Sequence, residues 1–151
     1  MFNIVLFQPE IPHNTGAIGR TALMTGSTLH LIHPLGFFLD EKSLKRSGLD
    51  YWEKIKVRQY VNYEDFLSQN PTANLYFAES NTGRFYTDVA YAPDDFIMFG
   101  SETTGIPLEI IDTDKAIKIP MIGEERSLNL SVSVGIVLYE ALRQNNFTDL
   151  I

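Results

Sequence analysis

The chain has 151 residues, 44% hydrophobic and 21% charged, which is the balance of a globular protein and not of a disordered, collagenous or coiled-coil one. It has no cysteine, which excludes disulfides and thiolate metal sites, and its net charge of −7 argues against non-specific binding to nucleic acid. No apolar run approaches a membrane span, and the N-terminal "MFNIVLF" lacks the length and basic flank of a signal peptide, so the expected location is the cytoplasm.

In chain order, "NIVLF" at residues 3–7 reads as a short strand. "QPEIPHNTG", with Pro9, Pro12 and Gly16, reads as a loop. Asn14 or Thr15 is placed to cap a helix that runs on through "AIGRTALMT" to a stop at Gly26. "TLHLIHP" is a second strand closed by Pro34, so strand, helix and strand make a βαβ unit with parallel neighbours. "DEKSLKRSGLDYWEKIKV" is mixed, with short helical pieces. Six of the chain's 12 basic residues fall here, at Lys42, Lys45, Arg46, Lys54, Lys56 and Arg58. "KVRQY" is strand-like, and "NYEDFLSQN" is a short helix capped by Asn62 and stopped at Asn70-Pro71. "NLYFAES" is a strand. The following "NTGRFYTDVAYAPDD", with Gly83 and Pro93, is mostly loop or short helix. "FIMFG" is a buried strand, "PLEIID" one or two helical turns with Pro107 in the first helical position, and "AIKIP" a last short strand. Alternating strands and helices predict an α/β fold, a mostly parallel sheet with helices on both faces, as one domain over 1–151. His13, His30 and His33 read as ordinary surface or core histidines, with no metal expected.

The last segment is less direct. In "RSLNLSVSVG", Ser127, Asn129, Ser131 and Ser133 alternate with apolar residues, as in a half-buried strand. A helix beginning near Asn129 instead puts Leu130, Val134, Val137, Leu138, Ala141 and Leu142 on one stripe. A polar loop feeding a helix is therefore expected. Ser131 and Gly135 form a second, small face that lets another backbone come close.

Ligands of parallel α/β sheets lie beyond the carboxyl ends of the strands. There this chain carries "PEIPHNTGAIGR", "ESNTG", "SETTGIP" and "MIGEERSLN". None is a P-loop or a GxGxxG fingerprint. Gly with Ser, Thr, Asn and Arg in four loops at one sheet edge marks a candidate site.

Over nearly its whole length the chain resembles the small bacterial tRNA ribose 2′-O-methyltransferases of the SPOUT (SpoU–TrmD) superfamily, single-domain enzymes acting on the wobble cytidine or uridine of certain leucine tRNAs. Three ordered stretches carry the likeness: "NIVLFQPEIPHNTGAIGR", "IMFGSETTGIP" and "IKIPMIGEERSLNLSVSVGIVLYEALRQ". "HPLGF" and "RSGLDYW" add to it. The resemblance implies a C-terminal trefoil knot, which no pattern argument would give because chains generally avoid knots. It implies S-adenosylmethionine bound in the loops around 77–83, 99–105 and 119–129. The implied cofactor contacts are Gly100, Gly105, Ile119, Met121, Ser127, Leu128 and either Ala78 or Glu79.

Arg20 resembles the family's catalytic arginine and is expected to grip a phosphate and stabilise a developing alkoxide. Asn14 is expected to position Arg20 or its loop, and Ser127 and Asn129 to orient ribose or cofactor. Glu102 either faces the sulfonium or braces the "GSETTG" turn. Lys42, Lys45, Arg46 and Arg126 are expected to contact phosphates of a tRNA anticodon stem-loop. Tyr51 and Trp52 stack on bases or are core or interface residues. A homodimer through the first and last helices is implied, with no membrane and no metal. The competing readings are another tRNA or rRNA nucleotide as target, and a non-enzymatic nucleotide-binding module.

Overall fold

Short runs of Ile, Val, Leu and Phe, too continuous to leave one face in water, build an all-parallel sheet. It is seen in a computed structural model that describes residues 1–40, 42, 50–81, 83–123 and 127–151. Among these residues the strands are β1 (Asn3–Phe7), β2 (Thr28–Ile32), β3 (Val57–Tyr60), β4 (Leu75–Ala78), β5 (Arg84–Phe85), β6 (Phe96–Phe99) and β7 (Ala116–Lys118). The helices are α1 (Pro12–Thr25), α2 (Tyr63–Gln69) and α3 (Leu130–Gln144). The sheet order is β3-β2-β1-β6-β4-β7-β5. In the centre Leu6 pairs with Leu31 on one side and Phe99 on the other.

Alternate residues of each strand serve two cores. Ile4, Leu6, Leu29, Leu31, Ile97 and Phe99 meet Ile18 and Ala22 of α1 and Val134, Val137, Leu138 and Ala141 of α3. Val5, Phe7, Ile32, Phe77 and Met98 meet Phe66 of α2 and Ile106. Each fully buried large side chain contributes about 1.5–3 kcal/mol, so both faces are held. The stripe expected of the last helix is the one that packs, and α1 and α3 lie side by side on the same face.

Local chemistry explains the helix ends. Gly26 adopts a left-handed conformation (φ 66°) that ends α1, and Asn62 accepts from the Asp65 amide to start α2. Asn129 caps α3, accepting from the amides of Ser131 and Val132.

Three details differ from the sequence expectation. α1 starts earlier, at Pro12, with Ile11 in the cap position and no side-chain cap; proline fits the first helical position, and Asn14 and Thr15 lie buried inside the helix. Arg84–Phe85 forms a strand beside β7 where loop was expected, because two edge residues leave no periodic signal. The helical turn expected at "PLEIID" is a single 3-10 turn, Leu108–Ile110, and Pro107 is its cap and not its first residue.

His30 is a core residue. Its Nδ1 lies 2.8 Å from the Tyr60 hydroxyl and its Nε2 2.9 Å from Asn3 Oδ1. Asn3 Nδ2 donates to the Asp94 carbonyl, so its Oδ1 accepts from the His30 Nε2–H and the Nδ1 of the neutral ring accepts from the Tyr60 hydroxyl, which also accepts from Asn70 at 3.1 Å. Burial, and secondarily the Arg58 charge, push its pKa down to about 4. Among the described residues no group of His, Asp or Glu could hold a metal ion, and no helix is long and apolar enough to cross a membrane.

Candidate active site

Because the strands are parallel, the segments that follow β1, β4, β6 and β7 leave from one edge, and these four strands lie together in the sheet. The segments enclose a cavity of about 450 Å³. Its walls come from Ile11 and Asn14 at the start of α1, Ala78–Asn81 after β4, Phe99–Gly105 after β6, Ile117–Ile119 and Met121 along and after β7, and Ser127–Leu130 with Ser133 and Val137 leading into α3.

The β6 loop folds back on itself. Ser101 and Gly105 form a bridge, Gly105 has φ 67°, and a Cβ on Gly100 would run into the Gly105 and Ile106 backbone. Glycine is required here by contact with backbone, which cannot move aside.

A chain of side-chain amides ties the walls together. The Glu102 carboxylate accepts from the Glu10 amide (2.8 Å), the Ile11 amide (3.1 Å) and Asn14 Nδ2 (3.2 Å). Asn14 Oδ1 accepts from Asn129 Nδ2 at 3.0 Å. Asn129 Oδ1 accepts from the Ser131 amide (2.9 Å), the Ser131 hydroxyl (2.6 Å) and the Val132 amide (3.3 Å). Both carboxamides are oriented by their ends: a carboxylate only accepts, and amides at a helix start only donate. The loops after β1, β6 and β7 are thus linked through three side chains.

Glu10 makes a return clasp. Its Oε1 accepts from the Thr103 hydroxyl (2.6 Å) and the Thr103 amide (3.2 Å), and those two bonds hold its carboxyl below the usual range. Glu79 accepts from the Ser80 amide (2.7 Å) and lies 3.4 Å from the Ile106 amide, so it stands between the β4 and β6 loops.

Of the residues singled out from the sequence, Asn14, Ala78, Glu79, Gly100, Glu102, Gly105, Ile119, Met121, Ser127, Leu128 and Asn129 all line this one cavity. Both Ala78 and Glu79 do so. Arg20 does not line it. It is exposed on α1, with its guanidinium carbon 5.9 Å from the centre of the Tyr51 ring. Lys42, Lys54, Lys56 and Arg58 are exposed, while Lys45, Arg46 and Arg126 lie outside the described residues.

Tyr51 and Trp52 are half-buried and pack against the α1 core. Sequence reasoning missed the Glu10–Thr103 clasp and the wall positions of Lys118 and Ser133. Ser133 had a signal, since it lies one turn beyond the Asn129 cap; the Glu10 pairing spans 93 positions and had none.

The cavity combines an apolar slot (Phe99, Ile117, Ile119, Leu128, Val137) with hydroxyls and the carboxylates of Glu79 and Glu102. Such a lining suits a flat heterocycle carrying a cationic group. Residues 1–139 match the model of the SpoU rRNA Methylase family. A tRNA (cytidine(34)-2′-O)-methyltransferase from Saccharophagus degradans is 45% identical, over 97% of each chain. A solved structure described as giving insight into the 2-OH methylation of C/U34 on tRNA is 40% identical, covers 97% of each chain and has a TM-score of 0.90. An AdoMet-bound rRNA methyltransferase from Sinorhizobium meliloti is 26% identical, over 94% of this chain and 56% of that one, with a TM-score of 0.80.

Proposed function

The chain belongs to the SpoU rRNA Methylase family, and from that premise we propose that it methylates the ribose 2′-oxygen of the wobble nucleotide, cytidine or uridine 34, in tRNA, with S-adenosylmethionine as methyl donor. The observation that carries this is a cavity lined by four strand-end loops and knit by Glu102, Asn14 and Asn129. Its volume lies within the ~300–1,000 Å³ of small-molecule sites. Its apolar slot fits a purine, and its hydroxyls and the Glu79 carboxylate fit the polar parts of a nucleoside bearing a sulfonium. Ala78, Glu79, Gly100, Gly105, Ile119, Met121, Ser127 and Leu128 would hold that group, which supplies an already activated methyl.

The protein's own task is then alignment and stabilisation of the nucleophile. Arg20 stays charged at any ordinary pH, so it grips the substrate phosphate and stabilises negative charge growing on the 2′-oxygen. Glu102, engaged by three donors, acts by bracing the β1–α1 loop. Asn14 and Asn129 transmit that bracing to the start of α3, and Ser127 orients the ribose.

The finer features rest on family likeness together with particular residues. The C-terminal segment forms the trefoil knot within one domain spanning 1–151. Two chains pair through α1 and α3: His13, Ala17, Arg20 and Met24 form an exposed face of α1, α3 exposes Val132 and Tyr139, and Gly135 has open space where its Cβ would be. Arg20 lies outside its own chain's cavity, which fits a site completed where two chains meet. Lys42, Lys45, Arg46 and Arg126 contact the anticodon stem-loop phosphates of leucine isoacceptors in the cytoplasm.

Methylation of rRNA is the second reading, favoured by the family model's description and the Sinorhizobium neighbour. Transfer of labelled methyl to bulk tRNA and, separately, to rRNA tests the proposal. Labelled tRNA with inert rRNA is the expected result, and labelled rRNA alone overturns it.

A further inference from the structure

The middle of the basic stretch, residues 51–55, is docked on α1 by shape. Trp52 and Ile55 lie against Gly19: a Cβ there would be 3.0 Å from Trp52 Cζ3 and 2.8 Å from Ile55 Cδ1. Docking places Tyr51 beside the preceding turn, where its hydroxyl donates to the Gly16 carbonyl at 3.2 Å. The ring so anchored carries the Arg20 guanidinium 5.9 Å from its centre. Among the described residues Arg20 has no hydrogen bond and no ion pair, and the contact they give this exposed side chain is the Tyr51 ring.

A long arginine in water samples many rotamers, and holding the guanidinium over an aromatic face removes part of that freedom before substrate arrives. Gly16 and Arg20 are four apart on α1, so Tyr51 spans one turn, its hydroxyl on one residue and its ring under the other. We propose that Tyr51 is the positioning residue for Arg20, holding the guanidinium ready for the RNA phosphate and the reacting 2′-oxygen. This rests on the role given to Arg20 above. Tyr51 itself touches neither methyl donor nor reacting atoms; it acts through Arg20.

The test is steady-state methyl transfer to tRNA by wild type, Tyr51→Phe, Tyr51→Leu, Arg20→Ala and the Tyr51→Leu/Arg20→Ala double variant, with S-adenosylmethionine affinity measured for each. Loss of the cation–π contact predicts a roughly two- to fivefold fall in kcat/KM for tRNA in Tyr51→Leu. S-adenosylmethionine affinity stays unchanged. Tyr51→Phe keeps the ring and most of the activity. The double variant is no worse than Arg20→Ala alone, a non-additivity that a purely structural role for Tyr51 would not produce.

Full activity of Tyr51→Leu, or independent multiplication of the two losses, overturns the proposal while Arg20's role survives. Full activity of Arg20→Ala overturns both. A measurement on the intact protein guards against a variant that fails to fold. The Arg20 Nε–H resonance of wild type is expected to show an aromatic ring-current shift, assigned by its loss in Arg20→Ala, and absence of such a shift equally overturns the proposal.

Discussion

Replacing Asn14 by Asp tests the amide chain at its middle link with almost no change of shape. The Asn14 Nδ2 donor to Glu102, 3.2 Å away, becomes a second carboxylate oxygen, while the bond received from Asn129 survives. The lost bond to a charged group costs about 1.5–3 kcal/mol. Two like charges at that separation add a repulsion of up to about 5 kcal/mol at an effective dielectric of 20. Glu102 is only half-buried, so solvent screens much of this, and the pair avoids the rest by keeping a proton. The net expected loss at pH 7.5 is about 2–4 kcal/mol.

The sign with pH follows from that proton. The pair's folded pKa is raised above its unfolded value, so the variant regains stability at acid pH and loses it as pH rises through the folded pKa. Urea unfolding of wild type and Asn14→Asp between pH 5 and 8 reads both, and a titration with S-adenosylmethionine reads whether the cavity loosens. A variant as stable as wild type at pH 7.5, with the same pH dependence, would refute the claim that Glu102, Asn14 and Asn129 hold the walls together.

His30 predicts a different slope. Its folded pKa of about 4 lies below the ordinary histidine value of 6.5, so the unfolded chain binds the extra proton. Stability is complete above pH 6.5 and falls by about 3 kcal/mol as pH drops toward 4. His30→Gln is expected to flatten that part of a pH–stability curve, and an unchanged slope would assign it to other groups. Replacing Lys45 and Arg46 by Ala is expected to weaken tRNA binding and reduce its log–log salt slope by roughly 2, leaving S-adenosylmethionine affinity intact. Unchanged tRNA affinity at low salt would remove these residues from the RNA contact.

The sheet was legible because its strands are buried on both faces, so "NIVLF" and "FIMFG" have no polar face to confuse the reading. The start of α3 was legible for a chemical reason: helix-start amides need an acceptor, and Asn129 stands where one is required. The four loops could be gathered because parallel strands send their ends to one edge.

What stayed hidden depends on distance through space. Glu102 bonds to amides more than 90 positions away, so nothing near it in sequence separates a brace from a reactive acid. Asn14 was legible as a polar residue at a helix start but not as the partner of Asn129, 115 positions on. Arg20 follows Asn14 by six residues, which carries it about 9 Å along the helix and onto another face, away from the cavity. Tyr51 and Trp52 were ambiguous because aromatic residues among lysines suit both RNA stacking and packing; the glycine surface of α1 receives Trp52.

The central claim is tested most directly by mapping the product. The protein is incubated with methyl-deuterated S-adenosylmethionine and tRNA from cells lacking it, and the tRNA is digested and analysed by mass spectrometry. The account predicts one labelled methyl on the ribose of nucleotide 34, strongly reduced with Arg20→Ala. A label on a base, at another nucleotide, or undiminished in that variant would contradict it.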